Sequence, residues 1–166
     1  MMKTLLLLRH AKSSRDDASL LDFERPLKKR GRNDARLIGK YLREHKIEPD
    51  LVISSPAERT RQTTLLALDA ARLEARVQYD ERIYEASAGR LLICISEIDT
   101  NAREVLLIGH NPGCEELLER LTGEIRRMQT AALARITLEI EKWSEPLESK
   151  GQLEWLIDPK ELENHE

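Results

Sequence analysis

Four consecutive leucines, Leu5 to Leu8, lie just inside the N-terminus and stop at the pair Arg9-His10. A short, unbroken apolar run bounded by charge is the pattern of a parallel strand buried on both faces, because a surface helix shows one apolar stripe instead. A second such run, Val105 to Ile108, ends in Gly109-His110-Asn111-Pro112-Gly113. Each run delivers a histidine at its carboxyl end. Ligands of open α/β sheets bind in the crevice beyond those ends. The two imidazoles therefore converge if the strands are neighbours.

Between these anchors the pattern alternates. The strand at 4–8 is followed by a polar segment, 11–25, and by a helix near 27–45 whose Ala35, Ile38 and Leu42 form one apolar stripe with Leu37 and Tyr41. Leu51-Val52-Ile53 reads as a second buried strand. Ser55-Pro56 then opens a helix to about Leu73, with serine as cap and proline in the first helical position. A strand near 76–79, a loop through Glu85 and a helix near 88–98 follow. The strand at 104–108 leads to Asn111-Pro112, again a cap and a first-turn proline, and to a helix through Leu121. Ile136, Leu138 and Ile140 alternate with polar residues, as do Leu153, Trp155 and Ile157. These two strands pair through a connection around Pro146 and Gly151. The expected fold is a three-layer α/β/α sandwich, its central sheet mostly parallel with antiparallel strands at the C-terminal end. With no repeat, linker or low-complexity tract, residues 1–166 read as a single domain, the charged tail after Pro159 being frayed.

Composition narrows the function classes. Acidic residues (30) outnumber basic ones (27), which argues against general nucleic-acid binding. Two cysteines, Cys94 and Cys114, imply no disulfide framework. Only five residues separate Lys3 from Arg9, too few for the apolar core of a signal peptide, and no run is long enough to span a bilayer. The expectation is a soluble cytoplasmic protein, with no nucleic acid or membrane among its partners and an oligomeric state that stays open.

Imidazole is a good neutral nucleophile at pH 7, and a guanidinium grips phosphoryl oxygens in bidentate fashion. Arg9-His10 at a strand end suits attack on phosphorus; the plainer account is a surface histidine beside a solvated arginine. Arg59 falls on the first turn of the helix opened at Ser55-Pro56, where free backbone N–H groups favour an anion. Neighbouring Glu58 and Arg61 also allow it to be an ordinary surface arginine. His110 follows Gly109 and precedes a helix start, as a donor to a phosphoryl oxygen or as a packing residue. His45 and His165 are assigned no role. A metal held by His10 and His110 would need carboxylates, from Asp16, Asp17 or Asp22 folding back, and Cys114 adds too little for a structural zinc. No metal and no cofactor are expected.

Five motifs in order carry a resemblance: LLRHAKS at 7–13, RPLKKRG at 25–31, SSPAERTRQT at 54–63, YEAS at 84–87 and GHNPG at 109–113. Together they resemble the histidine phosphatase superfamily, of phosphoglycerate mutase-like fold, and are most similar to its small SixA-type phosphohistidine phosphatase branch. The resemblance implies that His10 is the nucleophile that becomes phosphorylated. It implies that Arg9, Arg59 and His110 surround the phosphoryl group, with Arg25 near the rim. It places the general acid in the loop after the third strand, where Asp80, Glu81 and Glu85 are available and the Ile83-Tyr84-Glu85 pattern favours Glu85.

Two positions depart from the family pattern. Ala11 replaces the usual glycine after the nucleophile, and Lys28 stands where many members carry Ser or Thr at a helix cap. The stretch Lys28, Lys29, Arg30 and Arg32 crowds positive charge onto a helix N-terminus, either as a solvated face or as a basic rim that steers an acidic substrate. The implied activity is metal-independent hydrolysis of phosphohistidine on a signalling phosphotransfer domain, through a covalent enzyme intermediate and with inorganic phosphate as product. Short loops leave little chain for a lid. A small-molecule phosphomonoester phosphatase is the alternative, and a non-catalytic phosphate-binding module is the alternative of another class.

Overall fold

The computed structural model describes residues 2–163. Strand β1 (Lys3–Arg9) is followed by α1 (Lys29–Glu44), β2 (Leu51–Ser54), α2 (Glu58–Ala71), β3 (Val77–Tyr79) and α3 (Ala88–Ser96). Then come β4 (Glu104–Gly109), α4 (Gly113–Thr122), β5 (Leu133–Leu138), β6 (Gly151–Ile157) and α5 (Pro159–Glu163). Single 3₁₀ turns occur at Asp22–Glu24 and Glu81–Ile83.

One six-stranded sheet runs in the order β3-β2-β4-β1-β5-β6. The first four strands are parallel, while β5 is antiparallel to β1 and β6 is antiparallel to β5. β1 and β4 are direct neighbours, aligned from Leu5↔Val105 to Arg9↔Gly109. His10 and His110 therefore leave the sheet side by side, and the His10 N–H donates to the Gly109 carbonyl at 3.0 Å.

The apolar run of β1 is uninterrupted because both faces are covered. Leu5 and Leu7, with Val105 and Leu107, pack toward Leu91, Ile95, Leu117 and Leu121 of α3 and α4. Leu6 and Leu8, with Val52 and Ile108, pack toward Ile38, Leu42 and Leu68 of α1 and α2. All four leucines are fully buried, each stabilising the fold by about 1.5–3 kcal/mol over an exposed side chain. The result is the three-layer α/β/α arrangement, with both cysteines buried as free thiols. No helix among the described residues is long and apolar enough to cross a membrane.

Several boundaries differ from the sequence reading. α2 begins at Glu58 with Ala57 at its cap, so Ser55 and Pro56 lie before the helix. Pro112 occupies the cap position of α4, and Asn111 instead donates its side-chain N–H to the Met128 carbonyl at 3.0 Å. Gly151 opens β6 rather than lying in the connection, and Ile140 lies beyond the end of β5. The stretch after 158 is not frayed at its start. Pro159 is buried and Leu162 packs on the α1–α2 side, because that face of the sheet would otherwise expose Trp155 and Ile157. His165 lies outside the described residues.

Candidate active site

The carboxyl ends of β1 and β4 open into a cavity of about 350 Å³. Arg9, His10, Arg25, Arg59, Glu85 and His110 all line it. Five segments of the chain supply them. The chain turn at Ala11 is pinned to α2, since the Ala11 N–H donates to Thr63 Oγ at 3.0 Å and that hydroxyl donates to the Arg59 carbonyl at 2.7 Å. This linkage couples the histidine's position to that of Arg59.

His10 is buried, and its Nδ1 lies 2.7 Å from the Ala11 carbonyl oxygen. A carbonyl only accepts, so the ring proton sits on Nδ1 and the lone pair on Nε2. Burial first, and then Arg59, Arg9 and Arg25, lower the His10 pKa to about 4 against the opposing bond to Ala11. The ring is neutral at pH 7. The His110 ring lies 5.2 Å away, centroid to centroid, tilted by 55°. Its Nε2 is 2.8 Å from Ser55 Oγ, whereas its Nδ1 is buried without a partner. Burial, His10 and Arg59 lower the His110 pKa to about 3.

Arg9 anchors one terminal nitrogen on the Met128 carbonyl at 3.0 Å, leaving its buried Nε–H unpaired. Burial lowers its pKa. Buried donors without partners are rare in folded proteins and mark places where a ligand completes the hydrogen bonding. Arg9 Nε and His110 Nδ1 are two buried polar atoms without a partner, on residues that both line the cavity.

Arg59 is buried on the first turn of α2. Glu58 does not neutralise it, because that carboxylate pairs with Arg61 at 2.7 Å and with Gln62 at 3.0 Å. Asp22 does so instead. Its backbone carbonyl accepts from one terminal nitrogen of Arg59 at 2.8 Å, and its carboxylate accepts from the other at 3.1 Å. The same carboxylate accepts from Arg25 at 2.7 Å and from the Tyr84 hydroxyl at 2.5 Å. The bond from Tyr84 is the main reason its pKa lies far below the usual carboxylate range. Tyr84 is pushed up to about 12, by burial first and then by Asp22. Its ring also meets His110 edge-on at 5.4 Å and Phe23 at 5.1 Å, with the Arg59 guanidinium 5.8 Å from its centroid. Arg25 additionally donates to Ser14 O at 3.1 Å and to Ser13 Oγ.

Of the three acids in the loop after β3, only Glu85 lines the cavity. Asp80 is held by Arg82 at 2.7 Å, and Glu81 sits exposed in the 3₁₀ turn. Glu85 adopts a left-handed backbone (φ 51°), which turns the chain toward the β1–β4 crevice at a strain cost of about 1–3 kcal/mol. Among the described residues, no group of three or more His, Cys, Asp or Glu side chains gathers as a metal site. Asp22 does fold back to the pocket, but it is engaged by two guanidinium groups. Cys114 is fully buried beneath Gly109.

The role of Asp22 and Tyr84 was not apparent from the chain's pattern. Asp22 lies in a polar segment with several other acids, and only its position three residues before Arg25 sets it apart. Ser55, a helix cap by its sequence context, accepts from the Ala57 N–H at 3.2 Å and also pairs with His110.

The description of the histidine phosphatase superfamily (branch 1) matches residues 5–131. The chain belongs to that superfamily. It is 33% identical over 165 residues to an uncharacterised chloroplastic protein of Arabidopsis thaliana, covering 94% of this chain and 76% of the plant protein. It is 28% identical over 162 residues to the phosphohistidine phosphatase SixA of Escherichia coli, covering 95% of each. A structure of the protein histidine phosphatase SixA complexed with tungstate superposes with a TM-score of 0.82 at 27% identity, covering 96% of this chain and 99% of that one. Phosphoglycerate mutase from Bacillus anthracis shares the fold, with a TM-score of 0.75 at 14% identity over 98% of this chain and 96% of that one.

Proposed function

We propose that this chain is a phosphatase that removes the phosphoryl group from phosphohistidine on a protein, through a covalent phosphohistidine on His10. The observation that carries the reading is the fixed tautomer of His10, whose Nδ1 faces the Ala11 carbonyl and leaves the Nε2 lone pair for attack. Tungstate has the tetrahedral oxyanion geometry of phosphate, and its presence in the SixA structure supports an oxyanion at the matching site.

In the first step His10 Nε2 forms a bond to phosphorus as the bond from phosphorus to the substrate imidazole breaks. Positive charge developing on His10 is stabilised by its Nδ1–H bond to the Ala11 carbonyl. Arg9, Arg59 and His110 offset the charge on the three equatorial oxygens, each donor contributing a few kcal/mol in such sites, about 3 by analogy with a single oxyanion-hole donor. The contact of 2.8 Å between His110 Nε2 and Ser55 Oγ holds the His110 ring beside His10 at the cavity. Glu85, at the cavity wall, supplies the proton taken up by the leaving nitrogen. Water then attacks phosphorus as the Glu85 carboxylate takes up its proton, the P–Nε2 bond breaks, and inorganic phosphate leaves with His10 and Glu85 restored.

Turnover of a phosphohistidine phosphotransfer protein, measured against a panel of sugar and nucleotide monophosphates, tests the reading. The expected result is a kcat/KM for the phosphoprotein at least about 100-fold above any monoester, a difference of roughly 2.7 kcal/mol in transition-state binding. Preference for a monoester would make the small-molecule reading the correct one. Absence of any turnover would leave a phosphate-binding module.

A further inference from the structure

The catalytic cavity holds more positive charge than one phosphoryl group requires. Six basic side chains line it, Arg9, Lys12, Arg15, Arg25, Lys28 and Arg59, against the two acids Asp22 and Glu85. The chain as a whole carries net charge -3, so this excess is local. Arg25 and Arg59 are engaged by Asp22, and Arg9 by the Met128 carbonyl. Lys12, Arg15 and Lys28 have no side-chain hydrogen bond or ion pair among the described residues.

Backbone geometry makes two of these residues, Lys12 and Lys28, cross-strand neighbours. Residues Lys12 to Ser14 and Pro26 to Lys28 form a short antiparallel ladder: the Lys28 N–H donates to the Lys12 carbonyl at 2.9 Å, Ser13 bridges Leu27, and the Ser14 N–H donates to the Pro26 carbonyl at 2.8 Å. The first turn of α1 closes onto the same point. A Cβ on Gly31 would come within 2.1 Å of the Lys12 carbonyl oxygen, so only glycine allows this approach. Lys28 caps α1 without a side-chain bond to the helix, which leaves the positive end of the helix dipole at the point where the Lys12 and Lys28 backbones meet. Like charges held together at a helix N-terminus are unfavourable unless an anion joins them.

We infer that Lys12 and Lys28, with Arg15, form a second anion subsite beside the phosphoryl site, so that the substrate carries a carboxylate or a second phosphate next to the group removed. The inference rests on the cavity being a phosphoryl site. It gives the basic stretch at the start of α1 a function in substrate choice. Two sources offer this chemistry: an acidic residue flanking a phosphohistidine on a protein, or the second acid group of a small phosphorylated molecule.

Calorimetric binding of methylphosphonate and phosphonoacetate to the full chain tests the subsite without requiring turnover, since the two differ by one carboxylate. The wild type is expected to bind phosphonoacetate at least about tenfold more tightly, with the preference falling as salt screens the exposed ammonium groups. In the double variant Lys12→Met, Lys28→Met, which keeps the apolar stems, the preference ratio is expected to fall to within about twofold of one. The double variant Lys12→Arg, Lys28→Arg retains it. Phosphohistidine peptides with Glu or Gln flanking the histidine, assayed beside monoesters with and without a carboxylate, then locate the source by which pair shows a KM difference. Equal affinity of the wild type for both phosphonates, or a preference that survives in the methionine variant, would overturn the subsite and leave the phosphoryl site standing. Failure of both phosphonates to bind would take away the phosphoryl site and the subsite together.

Discussion

Asp22 grips Arg59 at two points, one terminal nitrogen on its backbone carbonyl at 2.8 Å and the other on its carboxylate at 3.1 Å. The guanidinium is thereby aimed: each outer nitrogen gives one of its two N–H groups to Asp22 and keeps the other. A phosphoryl group entering the cavity competes with that carboxylate for the fork, and the negative charge of Asp22 opposes it.

Asp22→Asn separates these two effects. The neutral amide keeps the shape but relaxes the competition, so inorganic phosphate is expected to inhibit at lower concentration than in the wild type. Looser aiming of Arg59 lowers kcat by about tenfold, in line with the sensitivity of such sites to small displacements. Inhibition constants and kcat on one substrate check both directions; a variant with weaker phosphate binding would contradict the competition.

His10→Ala is expected to abolish acid-labile phosphoenzyme and to lower kcat by at least ~10³-fold, as loss of a nucleophile does elsewhere. Labelling with a radioactive phosphoryl donor followed by acid and base treatment reads the first. Turnover reads the second, and near-normal turnover would remove His10 from the mechanism.

Glu85→Gln distinguishes leaving groups. An alkoxide leaves only with a proton in hand, whereas an imidazole is a far better leaving group. The expected loss is at least ~100-fold for alkyl phosphates and less than ~10-fold for phosphohistidine. Equal losses on both substrates would make Glu85 a positioning residue and not the acid.

Acid sensitivity follows from the two buried imidazoles. In the folded chain His10 titrates at about 4 and His110 at about 3, against 6.5 for a free histidine. Below 6.5 the unfolded chain therefore binds protons that the folded chain refuses, and stability falls as pH drops from 6.5 toward 4. Each histidine steepens the fall by up to about 1.4 kcal/mol per pH unit in that window. Urea unfolding at pH 7 and pH 5 measures the drop. Ring C–H chemical shifts of both histidines stay flat over the same range, and a transition near 6.5 in either would contradict the burial argument.

Gly31→Ala drives a methyl group against the Lys12 carbonyl, with 2.1 Å between the new Cβ and that oxygen. The first turn of α1 must shift, at a cost of about 1–3 kcal/mol typical of overpacking. Denaturant midpoints check the stability, and an unchanged midpoint would mean the helix moves freely away from Lys12.

The sheet, and the placement of His10 and His110 at its carboxyl edge, were legible in the chain because their causes are local. A strand covered on both faces must be apolar throughout, so Leu5–Leu8 and Val105–Ile108 announce themselves, and whatever polar residue follows each run must emerge at the sheet's carboxyl edge. Period-two alternation likewise revealed β5 and β6. Boundaries failed where a side chain had a distant partner. Ser55 and Asn111 are both good cap residues by type, but Ser55 Oγ also meets His110 and Asn111 donates to the Met128 carbonyl, while α2 and α4 begin at Glu58 and Gly113. The link from Asp22 to Arg59 and Tyr84 exists only through chain folding. The loop after β1 returns across the crevice to meet Arg59, 37 residues on, and Tyr84, 62 residues on. Periodicity records which face of an element is dry; only packing decides which polar groups from remote segments meet once that face is buried.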